Sequence, residues 1–247
     1  MIAMLGMYDM PAIQPANDRY WAAIRARLGE GPEQLTRDRD YWEMWESPDL
    51  VLGQTCGLPY RSRLFGKVAK IATPNYGLPG CPPGHYKSLI AVRADDPRST
   101  PQAFQGATFT FNESVSQSGW AGPMAYLSGL GVTFARHIPS GAHVNSVHAI
   151  AEGRADIAGI DALTWALLCE HDPVTKQLKI IGETPPTPGL PYITALGNDT
   201  ATMERAIAAA IDDLTPEDRA ALYLKGLVQI PDADYRAVPT PSLPDGV

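Results

Sequence analysis

Short apolar runs alternate with longer stretches of helical periodicity along nearly the whole chain, and few folds accommodate that order. Strands are expected over 2–8, 50–53, 67–72, 86–93, 107–112, 132–137, 155–160, 178–182 and 192–197. Helices are expected over 18–28, where Tyr20, Trp21, Ile24 and Leu28 share a face, and over 118–130, 144–152, 162–171, 200–214 and 216–225. Strands that alternate with helices of this length argue for parallel sheets and an α/β class. Two proline-rich clusters, 74–83 and 185–191, can be neither helix nor central strand and read as crossing loops. Each is followed by an apolar strand. The simplest architecture has two α/β lobes, the first from both chain ends (1–88 with 193–247) and the second from the middle (89–192). The proline-rich tail over 239–247 reads as loosely packed.

A chain of 247 residues can build one large or two modest cores. Its 45% hydrophobic and 19% charged residues are those of an ordinary globular protein rather than a disordered one. No apolar run reaches the roughly 20 residues that cross a bilayer. The net charge of −7, with no basic stripe, excludes nucleic acid as a partner. It does not exclude a small anion, because surface charge is screened over about 8 Å while a pocket feels its own donors. Three cysteines are too few and too far apart for a zinc site or a redox pair. Cys56 and Cys81 lie in Gly/Pro-rich loops, either as a disulfide in an oxidising compartment or as two buried thiols, and Cys169 reads as core. The start, Met-Ile-Ala-Met-Leu-Gly-Met-Tyr, lacks the pattern of a signal peptide. Either an export signal is missing from the sequence, which would place the protein in the periplasm, or the protein stays in the cytoplasm.

The most informative stretch runs from Phe109 to Leu127. A strand ends at Asn112, hydroxyl residues and a glycine follow, and a helix begins. Ser116 and Ser118 fall at or beside its N-cap, with Gln117 and Gly119 in the same turn. Backbone donors without an intrahelical partner and the helix dipole both favour an anion there. The plainer alternative is that one serine merely caps the helix. His143 follows a Ser-Gly turn and opens a helix, so its ring can reach a cleft at the C-terminal edge of a sheet. It stands about 140° from His148 around that helix, so the two form no metal pair. Asp161 ends one strand and starts a helix, as a pocket residue or as an N-cap. In the first lobe, Thr55 and Tyr60 occupy a strand-to-helix turn and Tyr8 ends the first strand. Trp21, Trp42 and Trp45 fit helix faces and read as core. The chain contains no G-x-S-x-G, HExxH, P-loop or GxGxxG. No catalytic residue, metal or cofactor is therefore expected. Ser116, His143 and Asp161 make a triad on paper only, as almost any chain of this length would.

Taken in order, three segments resemble the phosphate/phosphite/phosphonate ABC-transporter substrate-binding proteins, a branch of the type II periplasmic binding proteins. Ser116-Gln117-Ser118-Gly119 looks like the family's Ser-Thr-Ser-Gly turn, Gly141-Ala142-His143 like its Gly-x-His segment, and the run from Ala155 to Asp161 like its Asp-Val-Ala-x-x-Asp. The sequence departs from the pattern at Gln117, where the family has threonine. The resemblance implies a two-lobed fold with a hinge of two crossing strands and a monomeric importer component that delivers its ligand to an ABC permease. It implies capture of a phosphonate, phosphite or phosphate between the lobes. Ser116, Ser118 and the amides around Gly119 would hold the oxyanion, His143 would donate, and Asp161 would accept from a ligand amine or a protonated oxygen. Tyr8, Thr55 and Tyr60 would close the site from the first lobe. The alternatives are the same fold with a sulfonate or a thiamine precursor, or a cytoplasmic sensor or enzyme on that scaffold.

Overall fold

A computed structural model of the protein describes residues 1–242. It has two compact units, Met1–His85 with Pro188–Tyr235, and Tyr86–Thr187 with the residues from Arg236 on. These limits differ by a few residues from the expected 88/89 and 192/193, and the tail counts with the middle block. The first unit contributes β1 (Ile2–Met4), β2 (Leu50–Gln54) and β3 (Val68–Asn75). The chain then crosses in β4 (His85–Tyr86). The second unit contains β5 (Ser88–Arg93), β6 (Thr108–Phe111), β7 (Arg136–Pro139), β8 (Ile157–Asp161) and β9 (Leu178–Glu183). The return is made in β10 (Thr187–Pro188), which pairs with β4. Two further strands, β11 (Tyr192–Ala195) and β12 (Gly226–Val228), complete the first unit.

The first sheet has the order β1-β2-β11-β3-β12 and the second β7-β6-β8-β5-β9. Both are mixed rather than parallel, which corrects the expectation. β11 runs antiparallel to β2 and β3, and β5 antiparallel to β8 and β9. β5 and β11 each follow a crossing, so the chain enters the sheet from the far end, and β12 at the edge of the first sheet also runs antiparallel, to β3. The sheet neighbours β1/β2, β6/β7 and β6/β8 do pair parallel.

β2 and β8 are buried at all five positions, as befits central strands covered on both faces. The first core gathers Ile2, Met4, Trp45, Leu50, Ile193 and Tyr235. Helix Thr200–Asp213 packs on helix Gln14–Leu28 and buries Met203, Ala206, Ile207, Ala210 and Ile211, an apolar stripe at helical spacing. The second core is richer in aromatics, with Phe104, Phe109, Phe111 and Trp120 around Ile90, Leu127 and Ile157.

Several local expectations shift. The first strand stops at Met4, and Tyr8 ends a short 3-10 turn. The helix expected over 118–130 is a wide turn, Gln117–Ala121, followed by helix Gly122–Gly129. Cys169 is exposed, because helix Ala162–His171 buries Ala162, Leu163, Leu167 and Leu168 instead. Cys56 and Cys81 are only half-buried. Trp42 is half-buried beneath the Arg63 guanidinium, 4.1 Å from the ring centre, whereas Trp21 and Trp45 are core. In the tail, Pro239, Thr240 and Ser242 are exposed and Pro241 half-buried, although Trp120 Nε1 donates to the Ser242 carbonyl; residues 243–247 lie outside the described residues.

Candidate functional site

The second unit brings together the polar residues that the sequence singles out in its half of the chain. β6 delivers the chain to Asn112, and Ser116 caps the turn that follows. Its Oγ accepts from the Gly119 amide at 2.9 Å. Within Gln117–Ala121 the bonding is i to i+5: the Ala121 amide reaches the Ser116 carbonyl and the Gly122 amide the Gln117 carbonyl. Such π-type turns widen a helix start and recur at functional sites. Glycine is required at two points of this arrangement. A Cβ on Gly119 would stand 1.8 Å from Asn112 Oδ1, and one on Gly159 of β8 would stand 2.1 Å from Pro123 Cγ and 3.1 Å from the Ser118 carbonyl. The turn therefore lies directly against β8, two residues before Asp161.

Ser118 Oγ and His143 Nε2 are hydrogen-bonded at 3.0 Å, which joins the serine turn to the start of helix His143–Ala151. Asp161 Oδ1 accepts from the Leu163 and Thr164 amides at 2.8 and 3.0 Å, so the carboxylate is the N-cap of helix Ala162–His171. It is 2% exposed and sits opposite Ser88 in the β5/β8 register. The Gln117 side chain is buried and lies along Gly122: a Cβ there would be 3.3 Å from its Nε2 and 3.6 Å from Ser88 Oγ.

Two polar atoms of this cluster, Asn112 Oδ1 and His143 Nδ1, are buried with no hydrogen-bond partner among the described residues. An unpaired buried polar group costs about 1–3 kcal/mol, and a fold retains such groups where something else uses them. Burial pushes the His143 imidazolium down to about 4, and the backbone of Gly159 opposes this only in part. At neutral pH the ring is uncharged, and its tautomer decides whether it or Ser118 donates.

The first unit holds Tyr8, Thr55 and Tyr60 in three different settings. Thr55 is fully buried; its amide donates to the Pro191 carbonyl and its Oγ1 has no partner among the described residues. Tyr8 packs edge-on against Tyr76 at 5.3 Å. Tyr60 is engaged elsewhere: its hydroxyl donates to Asp232 at 2.9 Å and its ring packs on Tyr235 in the core. Around Thr55 runs a polar chain that sequence reasoning missed. Gln54 Nε2 donates to Tyr76 Oη at 2.8 Å, and Tyr20 Oη to Tyr192 Oη at 3.4 Å. Burial raises the pKa of Tyr20 and Tyr192, so both stay protonated. Asn112 and Ser88 were missed in the second unit. Asn112 carried a signal, a polar residue closing an apolar strand before a serine turn, whereas Ser88 becomes visible only through its pairing with Asp161.

The fold is that of the type II periplasmic binding proteins, and solved structures agree. The binding-protein component of an ABC phosphonate transporter from Pseudomonas aeruginosa superposes with a TM-score of 0.72 at 16% identity, over 95% of this chain and 82% of that one. PhnD1 from Prochlorococcus marinus in complex with methylphosphonate gives 0.70 at 16% identity, over 90% of both chains. XAC2383 from Xanthomonas citri bound to chloride ion gives 0.66 at 15% identity, over 93% and 92%. The profile described as "ABC transporter, phosphonate, periplasmic substrate-binding protein" matches residues 65–236. The chain belongs to that family. No curated protein sequence matches it. The family is one of periplasmic solute-binding components of ABC importers, and among the described residues no helix is long and apolar enough to cross a membrane.

Proposed function

We propose that the solute this protein binds is a small phosphorus oxyanion, an alkyl- or aminoalkylphosphonate before phosphate, and that the second unit grips it with Ser116, Ser118, Gly119 and His143. The observation that carries the proposal is the Ser118–His143 hydrogen bond, set at a capped helix start beside two unpaired buried polar atoms. An oxyanion placed there would take the Ser118 hydroxyl and the first-turn amide of Ser118 as donors. It would also supply the negative charge that a protonated His143 needs. Asp161, buried one strand away, disfavours a fully ionised phosphate and favours a ligand that carries a proton or an amine. Gln117 brings a carboxamide where the family has a hydroxyl, and serves to set the shape of the turn. In the first unit, Thr55 is the residue whose state fits a ligand contact, and Tyr60, held by Asp232, is a structural one.

The same reading makes the protein a monomeric carrier for an ABC permease with no catalysis of its own, working in the periplasm once exported. Isothermal titration with methylphosphonate, 2-aminoethylphosphonate, phosphate, sulfate and taurine tests the ligand. Phosphonates are expected to bind at least tenfold tighter than sulfate and taurine. Equal affinity for sulfate, or none for any phosphorus compound, would refute the assignment.

A further inference from the structure

Trp120 sits two residues beyond Ser118, on the side of the turn that faces the aromatic core. Its ring lies 4.9 Å from Phe111 and 5.2 Å from His137, and the residue is 3% exposed. The indole N–H nevertheless points out of that core, and donates to the Ser242 carbonyl at 3.2 Å. Around this bond lies a groove of about 720 Å³. Trp120 and Met124 line it from the turn and helix, Phe134 and His137 from the β7 side, and Pro241 and Ser242 from the tail.

The tail has the sequence Val238-Pro239-Thr240-Pro241-Ser242. Each proline fixes its own φ and drives the residue before it out of the helical region. The segment is therefore biased toward an extended polyproline conformation, whose carbonyls find no partner within the segment. An aromatic-lined groove recognises such a peptide by packing prolines on rings and donating an N–H to a carbonyl. β7 is also the edge strand of its sheet. An exposed edge invites pairing with another chain, and a proline-bearing strap covers one without extending the ladder, because proline has no N–H to give.

We propose that the groove between Trp120 and β7 is a recognition surface for a proline-rich extended peptide, and that its resident ligand is the end of this chain's own C-terminal strap, Pro241 and Ser242. The anion assignment plays no part in this inference: it uses the indole and the β7 side of the turn, and no atom of Ser116, Ser118 or His143.

The test compares the full chain with one ending at Ala237, using a synthetic peptide of residues 238–247 as the probe. Shortening is expected to shift tryptophan emission to longer wavelength, and the peptide is expected to bind one-to-one and reverse the shift. Trp120→Phe keeps an aromatic ring but removes the donor, and should weaken the peptide about fivefold, the worth of one hydrogen bond. A peptide with alanine at Pro241 should bind still more weakly, whereas alanine at the exposed Pro239 should matter less. A folded shortened chain that ignores the peptide at millimolar concentration would overturn the inference. So would a concentration-dependent dimer of the full chain, which would make a second copy's tail the occupant. Should the shortened chain fail to fold, Ser242→Cys in the full chain replaces it. Labelling of that thiol, read on the C-terminal fragment, is expected to be at least tenfold slower than in the free peptide and to accelerate with Trp120→Phe. Labelling as fast as in the free peptide would also overturn it.

Discussion

Ser118 and His143 form the pair on which the proposed site turns, and each answers a different question about it. A hydroxyl that donates to an anion contributes about 1.5–3 kcal/mol, so Ser118→Ala should weaken methylphosphonate binding roughly ten- to a hundredfold, read by calorimetry. An unchanged Kd would remove the anion from this turn. His143 is a matter of sign. Its imidazolium is destabilised in the ligand-free fold, with a pKa near 4 against the ordinary 6.5. Its contribution to stability is therefore full above about pH 6.5 and is lost as the pH falls from there toward 4. Denaturant midpoints measured at pH 7.5, 6 and 5 should drop more steeply for the native protein than for His143→Gln. A bound oxyanion reverses the preference, because a negative charge favours the protonated ring. Binding should then take up a proton between pH 7 and 5.5, visible as a dependence of the calorimetric heat on buffer ionisation. The ligand's own second ionisation appears equally in His143→Gln, so the difference between the two proteins isolates the histidine. Equal proton uptake in both would mean that the ring stays neutral.

Among the elements, the turn Gln117–Ala121 shows what a sequence discloses and what it withholds. Its serines, its glycine and the strand before it were legible, because capping and strand ends are local and each leaves a mark in the residue types. The i to i+5 bonding was not, since it depends on Pro123 of the next helix lodging against Gly159 of β8, a contact between positions 36 apart in sequence. The same holds for Tyr60. The motif around it reads as a ligand turn, yet its partners Asp232 and Tyr235 come from the far end of the chain, where periodicity says nothing about who meets whom. Strand direction was misread at β5 and β11, because alternation of strands and helices carries no record of a crossing between units. Gly159 gives this scale its test. Gly159→Ala would force Pro123 and the turn away from β8, with a strain of about 1–3 kcal/mol. Methylphosphonate affinity should fall along with the melting temperature. Gly131→Ala, at a positive-φ site with nothing within reach of the added carbon, should lower the melting temperature through backbone strain while leaving affinity alone. If both variants left affinity intact, the packing of the turn on β8 would be irrelevant to binding.

For the whole molecule, the net charge of −7 and the proposed capture of an anion stand in apparent conflict. Two kinds of anion site can be told apart by salt. A site made from surface arginines and lysines draws its ligand by long-range attraction, and screening weakens it steeply. The cluster described above contains no lysine or arginine: its donors are hydroxyls, first-turn amides and one buried imidazole. These act over a few ångströms inside a region that salt does not reach, whereas the overall field opposes approach. Raising ionic strength from 0.05 to 0.5 M should therefore leave the Kd for methylphosphonate within about threefold and speed association rather than slow it. Potassium glutamate beside sodium chloride separates screening from direct competition by chloride, an ion small enough to occupy the same donors. Stopped-flow tryptophan fluorescence gives the two rate constants, with Trp120 within the turn as the reporter. A Kd that weakens tenfold or more in glutamate, carried by a falling association rate, would mean that exposed cations do the binding. The serine–histidine turn would then be a structural cap, and the search for the site would move to the basic residues of the surface.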